Sequence, residues 1–365
     1  QVGEIEAAGP NTGQMWLLRI GLYEITRPKE QADDWVWLVD HTIQIGSLKC
    51  LLVLGCRLRV WQADRRPLEH QDLEVLALEP VAESNGEIVC QQLQQLVAVT
   101  GEPRQIVSDR GSDVKSGIRQ FCQKHTETAQ VQDIAHEAAL VVKKELEADE
   151  RWGRYETALG KSKSQLQQTA LAHLIPPRAK AKARYMNLEA LVAWGQKTLA
   201  YLDTPTKVET PAVPQEEFEE RLGWLRTYRE ALAEWGGVME VVSQTLVYVR
   251  KQGYHAGAEQ ELAEQHPPAE ETSMPGRVAT ALRKVVATES AKARPGERLI
   301  GSSECLESLI GKGKRLEGQQ SKGGFTKMVL GMAAAVVQPT QAYLAAALTK
   351  IKVKDVYQWC KIHLG

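Results

Sequence analysis

Two aspartates stand where short apolar runs end. Asp40 closes Trp35-Val36-Trp37-Leu38-Val39, and Asp109 closes Arg104-Gln105-Ile106-Val107-Ser108. A carboxylate at the end of a strand is held rigidly by its apolar neighbours while its head faces solvent or a ligand. Two such ends on adjacent strands could converge on one ion. Mg²⁺ takes oxygen ligands and keeps some of its waters, so two or three carboxylates and the phosphate oxygens of a substrate suffice to bind it. Two ions roughly 4 Å apart activate an attacking oxygen and stabilise a leaving one. A third carboxylate is offered far downstream by Ser303-Glu304-Cys305-Leu306-Glu307-Ser308-Leu309-Ile310-Gly311-Lys312-Gly313-Lys314. Glu304 and Glu307 share a helical face there. Lys312 and Lys314 follow one to two turns on, where they could neutralise the phosphates of a nucleic acid.

Ordinary structural roles compete for each of these residues. Asp113 reads as a helix cap. Asp109 is less easily explained that way, because Ser112 or Asp113 already supplies a cap. A solvated amphipathic helix would account for Glu304 or Glu307 alone; the two aspartates give the combination its meaning. His136 reads equally as a group that orients water or a carboxylate near metal ions and as a satisfied structural residue. The densest basic stretch, Arg178-Ala179-Lys180-Ala181-Lys182-Ala183-Arg184-Tyr185, suits either a DNA backbone or an ordinary solvated surface.

The elements that must position these groups follow from periodicity. Trp35 to Asp40 and Leu48 to Leu54 are apolar runs separated by Gln44-Ile45-Gly46-Ser47, which predicts a hairpin. A third strand is expected near Leu73 to Leu78, and a helix through Val97 with Ser84 and Glu87 as its capping box. A fourth strand runs from Arg104 to Ser108, a helix from about Val114 to Gln123, and a fifth strand from Ala129 to Ile134. The order strand, strand, strand, helix, strand, helix, strand predicts an α/β fold of the ribonuclease H-like kind, a mixed sheet covered by helices.

From Glu137 to about Pro295 the chain is rich in Ala, Leu, Glu, Gln and Lys, with breaks at Pro176-Pro177, Pro205, Pro211, Pro214 and Pro267-Pro268. Phe218, Leu222, Leu225, Tyr228 and Leu232 make one stripe at helical period across Glu216 to Trp235. The expected organisation is an N-terminal segment and linker over 1–32, possible remnant of a DNA-binding region, and the first part of a catalytic domain over 33–136. A large all-helical insertion follows over 137–297. A returning catalytic helix and a helical C-terminal tail occupy 298–365.

Composition sets broad bounds. The chain has 365 residues, 43% hydrophobic and 25% charged, which is ordinary for a globular protein with a sizeable core. Its formal net charge of -1 excludes a small, purely basic DNA-binding module but not a basic face. The six cysteines are scattered without a Cys-x-x-Cys pair, which points away from a zinc or disulfide framework and towards a reducing, cytoplasmic compartment. No stretch approaches the ~18 apolar residues of a membrane span, so no membrane partner is expected. The chain begins at Gln1 with no signal-peptide pattern, as a fragment lacking its natural start would.

Together, Asp40, the run Ser108-Asp109-Arg110-Gly111, and Glu307-Ser308 leading to Lys312 and Lys314 resemble the DDE triad of transposases and retroviral-type integrases. Asp133-Ile134-Ala135-His136 resembles the Asp/Cys-x-x-His motif of transposases with a helical insertion, such as the hAT group, and the long interval from Asp109 to Glu307 implies such an insertion. Arg151-Trp152 is similar to the Arg-Trp pair of those insertions, where Trp stacks on a flipped base; burial in a core is the stronger reading of Trp152. The resemblance implies two-metal DNA cleavage at transposon ends and transfer of the 3′-hydroxyl into target DNA. Two Mg²⁺ or Mn²⁺ ions would be held with Asp40 on both, Asp109 on one and Glu307 on the other. Double-stranded DNA is the implied partner, Arg110 and the basic residues Arg178, Lys180, Lys182, Arg184, Lys312 and Lys314 its contacts, and a homo-oligomer on DNA the expected assembly. Asp133, His136, Trp152 and Glu304 are possible accessory residues. The alternatives are a ribonuclease H-like nuclease or junction resolvase, and a domesticated, non-catalytic DNA-binding protein.

Overall fold

The computed structural model describes residues 9–45, 48–109, 111–178, 188–203, 215–267, 270–318 and 327–364. They fall into two compact units. The first holds 1–133, 250–256 and 292–365; the second holds 134–249 and 257–291.

The first unit opens with helix α1 (Pro10–Thr26), whose proline occupies the first turn, where its missing N–H costs nothing. Strands β1 (Trp35–Ile45) and β2 (Leu48–Arg57) pair antiparallel, then α2 (Leu58–Asp64) leads to β3 (Glu74–Val81). Helix α3 (Gly86–Thr100), β4 (Gln105–Ser108), α4 (Ser112–Lys124) and β5 (Ala129–Gln132) complete the sheet. Its order is β3-β2-β1-β4-β5, with β1, β4 and β5 parallel and β2 and β3 antiparallel to their neighbours. This is the mixed, ribonuclease H-like arrangement.

Trp35 to Val39 of β1 and most of β2 are apolar because both faces of the sheet are covered there. Trp35, Trp37, Val39, Leu51, Val53 and Ile106 pack with Val89, Leu93, Val114, Ile118 and Phe121 of α3 and α4. Alternation along a strand then puts Val36, Leu38 and Asp40 on the opposite face.

The second unit is helical in its described residues: α5 (Ile134–Glu147), α6 (Glu150–Leu166), α7 (Glu189–Asp203), α8 (Gln215–Leu222), most of α9 (Arg229–Gln252), α10 (Ala258–Gln265) and α11 (Met274–Ser290). Its core gathers Trp152, Tyr155, Leu191, Leu225, Leu232, Trp235 and Val278. Returning to the first unit, α12 (Glu304–Gly318), α13 (Val329–Ala334), α14 (Gln341–Lys350) and α15 (Val353–His363) end the chain.

Several local expectations need correction. The cap of α3 is Asn85, whose Oδ1 accepts from the N–H groups of Glu87 and Ile88 at 2.9 and 3.0 Å; Ser84 instead meets His41. β5 stops at Gln132 and Ile134 already belongs to α5, so His136 lies on a helix rather than at a strand end. The Glu216 to Trp235 stripe is not one helix, since a 3-10 turn over Gly223–Tyr228 separates α8 from α9. Residues 250–256, inside the stretch expected to form the insertion, belong with the first unit. There Tyr254 bridges Leu299 antiparallel. Gly253 permits this: its φ is 68°, and a Cβ would fall 2.4 Å from the Leu299 carbonyl oxygen.

The N-terminal segment is not a bare linker. α1 packs on α13, α14 and α15, and Gly21 lets it approach so closely that a Cβ would lie 1.9 Å from the Leu330 carbonyl oxygen. Glu24 is 2% exposed and receives Arg27, Lys29, the Tyr343 hydroxyl and the Val75 N–H. Burial pushes its carboxyl up, but these donors and the Lys29 charge prevail and hold it below the usual range.

Candidate active site

The sheet register places the two aspartates side by side. Val39 of β1 pairs with Ser108 of β4, so Asp40 and Asp109 are the next residues on two adjacent parallel strands. Ser108 in turn pairs with Gln132 of β5, and the ladder continues weakly from the Asp133 N–H to the Ser108 carbonyl at 3.4 Å. Three aspartates therefore stand in one row across the sheet, Asp109 and Asp133 just beyond the ends of β4 and β5 and Asp40 where the β1–β4 pairing stops. Asp40 does not close its own strand as expected, because β1 runs on beside β2 to Ile45. Asp40 and Asp109 are half-buried, whereas Asp133 is 1% exposed.

Helix α12 packs against β1, on the face opposite α3 and α4 to which alternation assigns Asp40. Its N-terminus is led in by a strap that the sheet holds at several points. Arg104 pairs with Glu297 at 2.6 Å and donates to the Lys292 carbonyl. The Gln105 side chain donates to the Ile300 carbonyl and accepts from the Ile300 N–H. Asp133 accepts from both the N–H and the hydroxyl of Ser303, immediately before the first turn of α12.

The two glutamates of that turn differ. Glu304 is exposed and forms an ion pair with Arg250 at 2.9 Å. Glu307 is half-buried, with its Oε1 shielded from solvent. Lys314 is exposed and, seven residues beyond Glu307, returns to within about 20° of its direction around the helix. Lys312 points about 140° away from Glu307. Its ammonium meets His70 Nδ1 at 3.1 Å and lines a cavity of about 620 Å³ with Glu304, Cys305 and Ser308.

Around the aspartates lie groups that spacing alone did not single out. His41 adjoins Asp40, and its Nε2 is 3.0 Å from the Ser84 hydroxyl. Burial, aided by the charge of Lys49, lowers its pKa below the ordinary histidine value, against the pull of Asp113 and Asp109. Lys49 pairs with Asp113 at 2.6 Å, and that bond holds the Asp113 carboxyl below its usual range. Asp113 is thus an ion-pair partner and not a side-chain cap; α4 begins at Gly111 with no side-chain capping bond. Asp109 does serve its turn, accepting the Gly111 N–H at 2.8 Å.

The remaining candidates divide. Trp152 is 2% exposed and meets Trp235 edge-on at 4.9 Å, which places it in the core of the second unit rather than on a nucleic-acid surface. His136 is half-buried on the first turn of α5. Arg178 is exposed, and Arg110, Lys180, Lys182 and Arg184 lie outside the described residues.

Among the described residues no group of three or more His, Cys, Asp or Glu side chains stands close enough to hold a metal ion. The donor chemistry nevertheless fits a hard divalent cation. Asp40 and Asp109 are oxygen donors at one level of the sheet edge, and Glu307 is a third on the helix that covers that face of β1. Also among the described residues, no helix is long and apolar enough to cross a membrane.

No protein-family model matches the sequence, and no curated protein matches it in sequence. Among solved structures, the Drosophila P element transposase strand transfer complex is similar in fold, with a TM-score of 0.41 and 10% identity, over 92% of this chain and 86% of that one.

Proposed function

We propose that the sheet-bearing unit is the catalytic core of a DDE-type transposase, cutting double-stranded DNA at element ends and joining the freed 3′-hydroxyl to target DNA. The observation that carries this reading is the register: Asp40 and Asp109 follow the paired Val39 and Ser108, where the parallel β1–β4 ladder stops, and α12 packs on β1. Asp40, Asp109 and Glu307 would hold two Mg²⁺ or Mn²⁺ ions, which supply an activated oxygen nucleophile and charge stabilisation of the leaving oxygen when bound. Glu307 is preferred to Glu304 as the third ligand because Glu304 is exposed and engaged by Arg250. Lys314, on the Glu307 side of α12, and the exposed Arg178 are the described cations suited to DNA phosphates. Assembly as a homo-oligomer on DNA belongs to the same reading.

The test is substitution in the full-length protein with its own element ends. Asp40→Ala, Asp109→Ala and Glu307→Ala each abolish Mg²⁺- or Mn²⁺-dependent cleavage and joining while DNA binding persists, and Glu304→Ala retains both activities. Cleavage by Asp40→Ala overturns the mechanism. Cleavage of RNA–DNA hybrids or four-way junctions without joining points instead to a nuclease. DNA binding by wild type with neither activity in either metal points to a non-catalytic DNA-binding protein.

A further inference from the structure

We infer that Asp133 is a positioning residue that sets the place of Glu307, acting through Ser303; this rests on the triad assigned above. Asp133 is 1% exposed, and its Oδ2 accepts both the backbone N–H and the hydroxyl of Ser303. The Ser303 carbonyl in turn accepts the N–H groups of Leu306 and Glu307 at 2.8 and 3.2 Å. Two successive hydrogen bonds thus join the third aspartate of the row to the backbone of Glu307.

The chemistry favours a carboxylate at this point. The first turn of a helix has N–H groups without intrahelical partners and a partial positive charge, both of which a carboxylate satisfies. Its bonds are charge-assisted and roughly twice as strong as neutral ones. Because Asp133 follows Gln132, which pairs with Ser108, its backbone is fixed at the level of Asp109. The clamp therefore refers the helix to the same sheet edge that carries Asp109 and Asp40. The Gln105–Ile300 amide pair and the Tyr254–Leu299 bridge guide the strap only as far as residue 300. Asp133 fixes its last step into α12.

The experiment measures Mn²⁺ affinity by calorimetry and amide hydrogen exchange over 304–310 in the full chain, for wild type, Asp133→Asn, Asp133→Ala, Ser303→Ala and Glu307→Ala. Asp133→Ala should weaken Mn²⁺ binding by about 10-fold or more, as loss of an outer partner of a metal ligand does. It should also speed exchange at Leu306 and Glu307. Asp133→Asn, which keeps one acceptor, should fall between it and wild type, and Ser303→Ala should resemble Asp133→Asn. The weakened cleavage should recover in part at high Mn²⁺, which a merely unfolded fraction would not do. If Asp133→Ala does not fold, Ser303→Ala and Asp133→Asn carry the test. Wild-type Mn²⁺ affinity and exchange in folded Asp133 and Ser303 variants, with affinity lost in Glu307→Ala, overturn the clamp and leave the triad standing. Equal Mn²⁺ binding by wild type and Glu307→Ala overturns both.

Discussion

The aspartate row of the sheet unit and the aromatic core of the helical unit use acidic groups in different ways. Along the sheet edge, Asp40 and Asp109 are half-buried heads on rigid strands, flanked by the buried Val39 and Ser108. In the helical unit, Asp149 caps α6, pairs with Arg151 at 2.8 Å and accepts the Trp235 indole N–H at 3.1 Å. Around it Trp152, Tyr155, Trp224, Tyr228 and Trp235 pack ring against ring, with centroids 4.9 to 6.4 Å apart. One carboxylate set sits half-buried on the sheet; the other is tied to an arginine and an indole.

The comparison breaks first at the triad. Ala at Asp40, Asp109 or Glu307 should reduce metal-dependent cleavage to background with a change in unfolding free energy of only about 0.5–1 kcal/mol, because these groups are not closed into a core. A large fall in the chemical-denaturation midpoint would recast them as structural. Trp235→Ala and Trp152→Ala should do the reverse. Each should cost about 3–5 kcal/mol of stability, the usual range for a buried Trp truncation, read from denaturant unfolding. Lost DNA affinity with unchanged stability in Trp152→Ala would return that ring to a nucleic-acid surface.

A sharper contrast lies within the sheet unit. Glu24 is buried among Arg27, Lys29 and Tyr343, so Glu24→Gln should destabilise by about 3 kcal/mol through uncompensated buried charge. Its lowered pKa gives the pH dependence a sign. The Glu24 contribution is fully present above its ordinary value of 4.5 and is lost as pH falls through the depressed one. Thermal melts of wild type and Glu24→Gln should therefore converge only below that pH, and a gap that closes on the alkaline side contradicts the assignment. The smallest effect is at α12. Lys314→Gln should lower the salt slope of DNA binding by about one, and Lys312→Gln by less, since Lys312 faces His70. Equal slopes for the two would remove the distinction between the helix faces.

Much of the sheet was legible because its signals are local. Apolar runs of strand length, punctuated at Gly46-Ser47 and after Ser108, mark β1, β2 and β4, and the two aspartates stand out as charges ending them. The mixed sheet follows from the order of those runs. Other features were not legible because they depend on partners distant in sequence. Asn85 wins the cap over Ser84 because His41 takes the serine hydroxyl. The α1 segment reads as a loose end until Leu330, Tyr343 and Val75 are brought beside it. Glu304 and Glu307 share a helical face in sequence, and only the fold tells them apart, by the exposure of Glu304 and its pairing with Arg250.

By itself, the sequence determined the α/β class and the helical character beyond the fifth strand, since both rest on periodicity. Tertiary structure alone decided which groups stand together: the pairing of Val39 with Ser108 that sets Asp40 beside Asp109, and the tie from Asp133 to Ser303 across 170 positions of chain. Strand register and long-range hydrogen bonds are fixed by packing of whole faces, and no local run of residues encodes them.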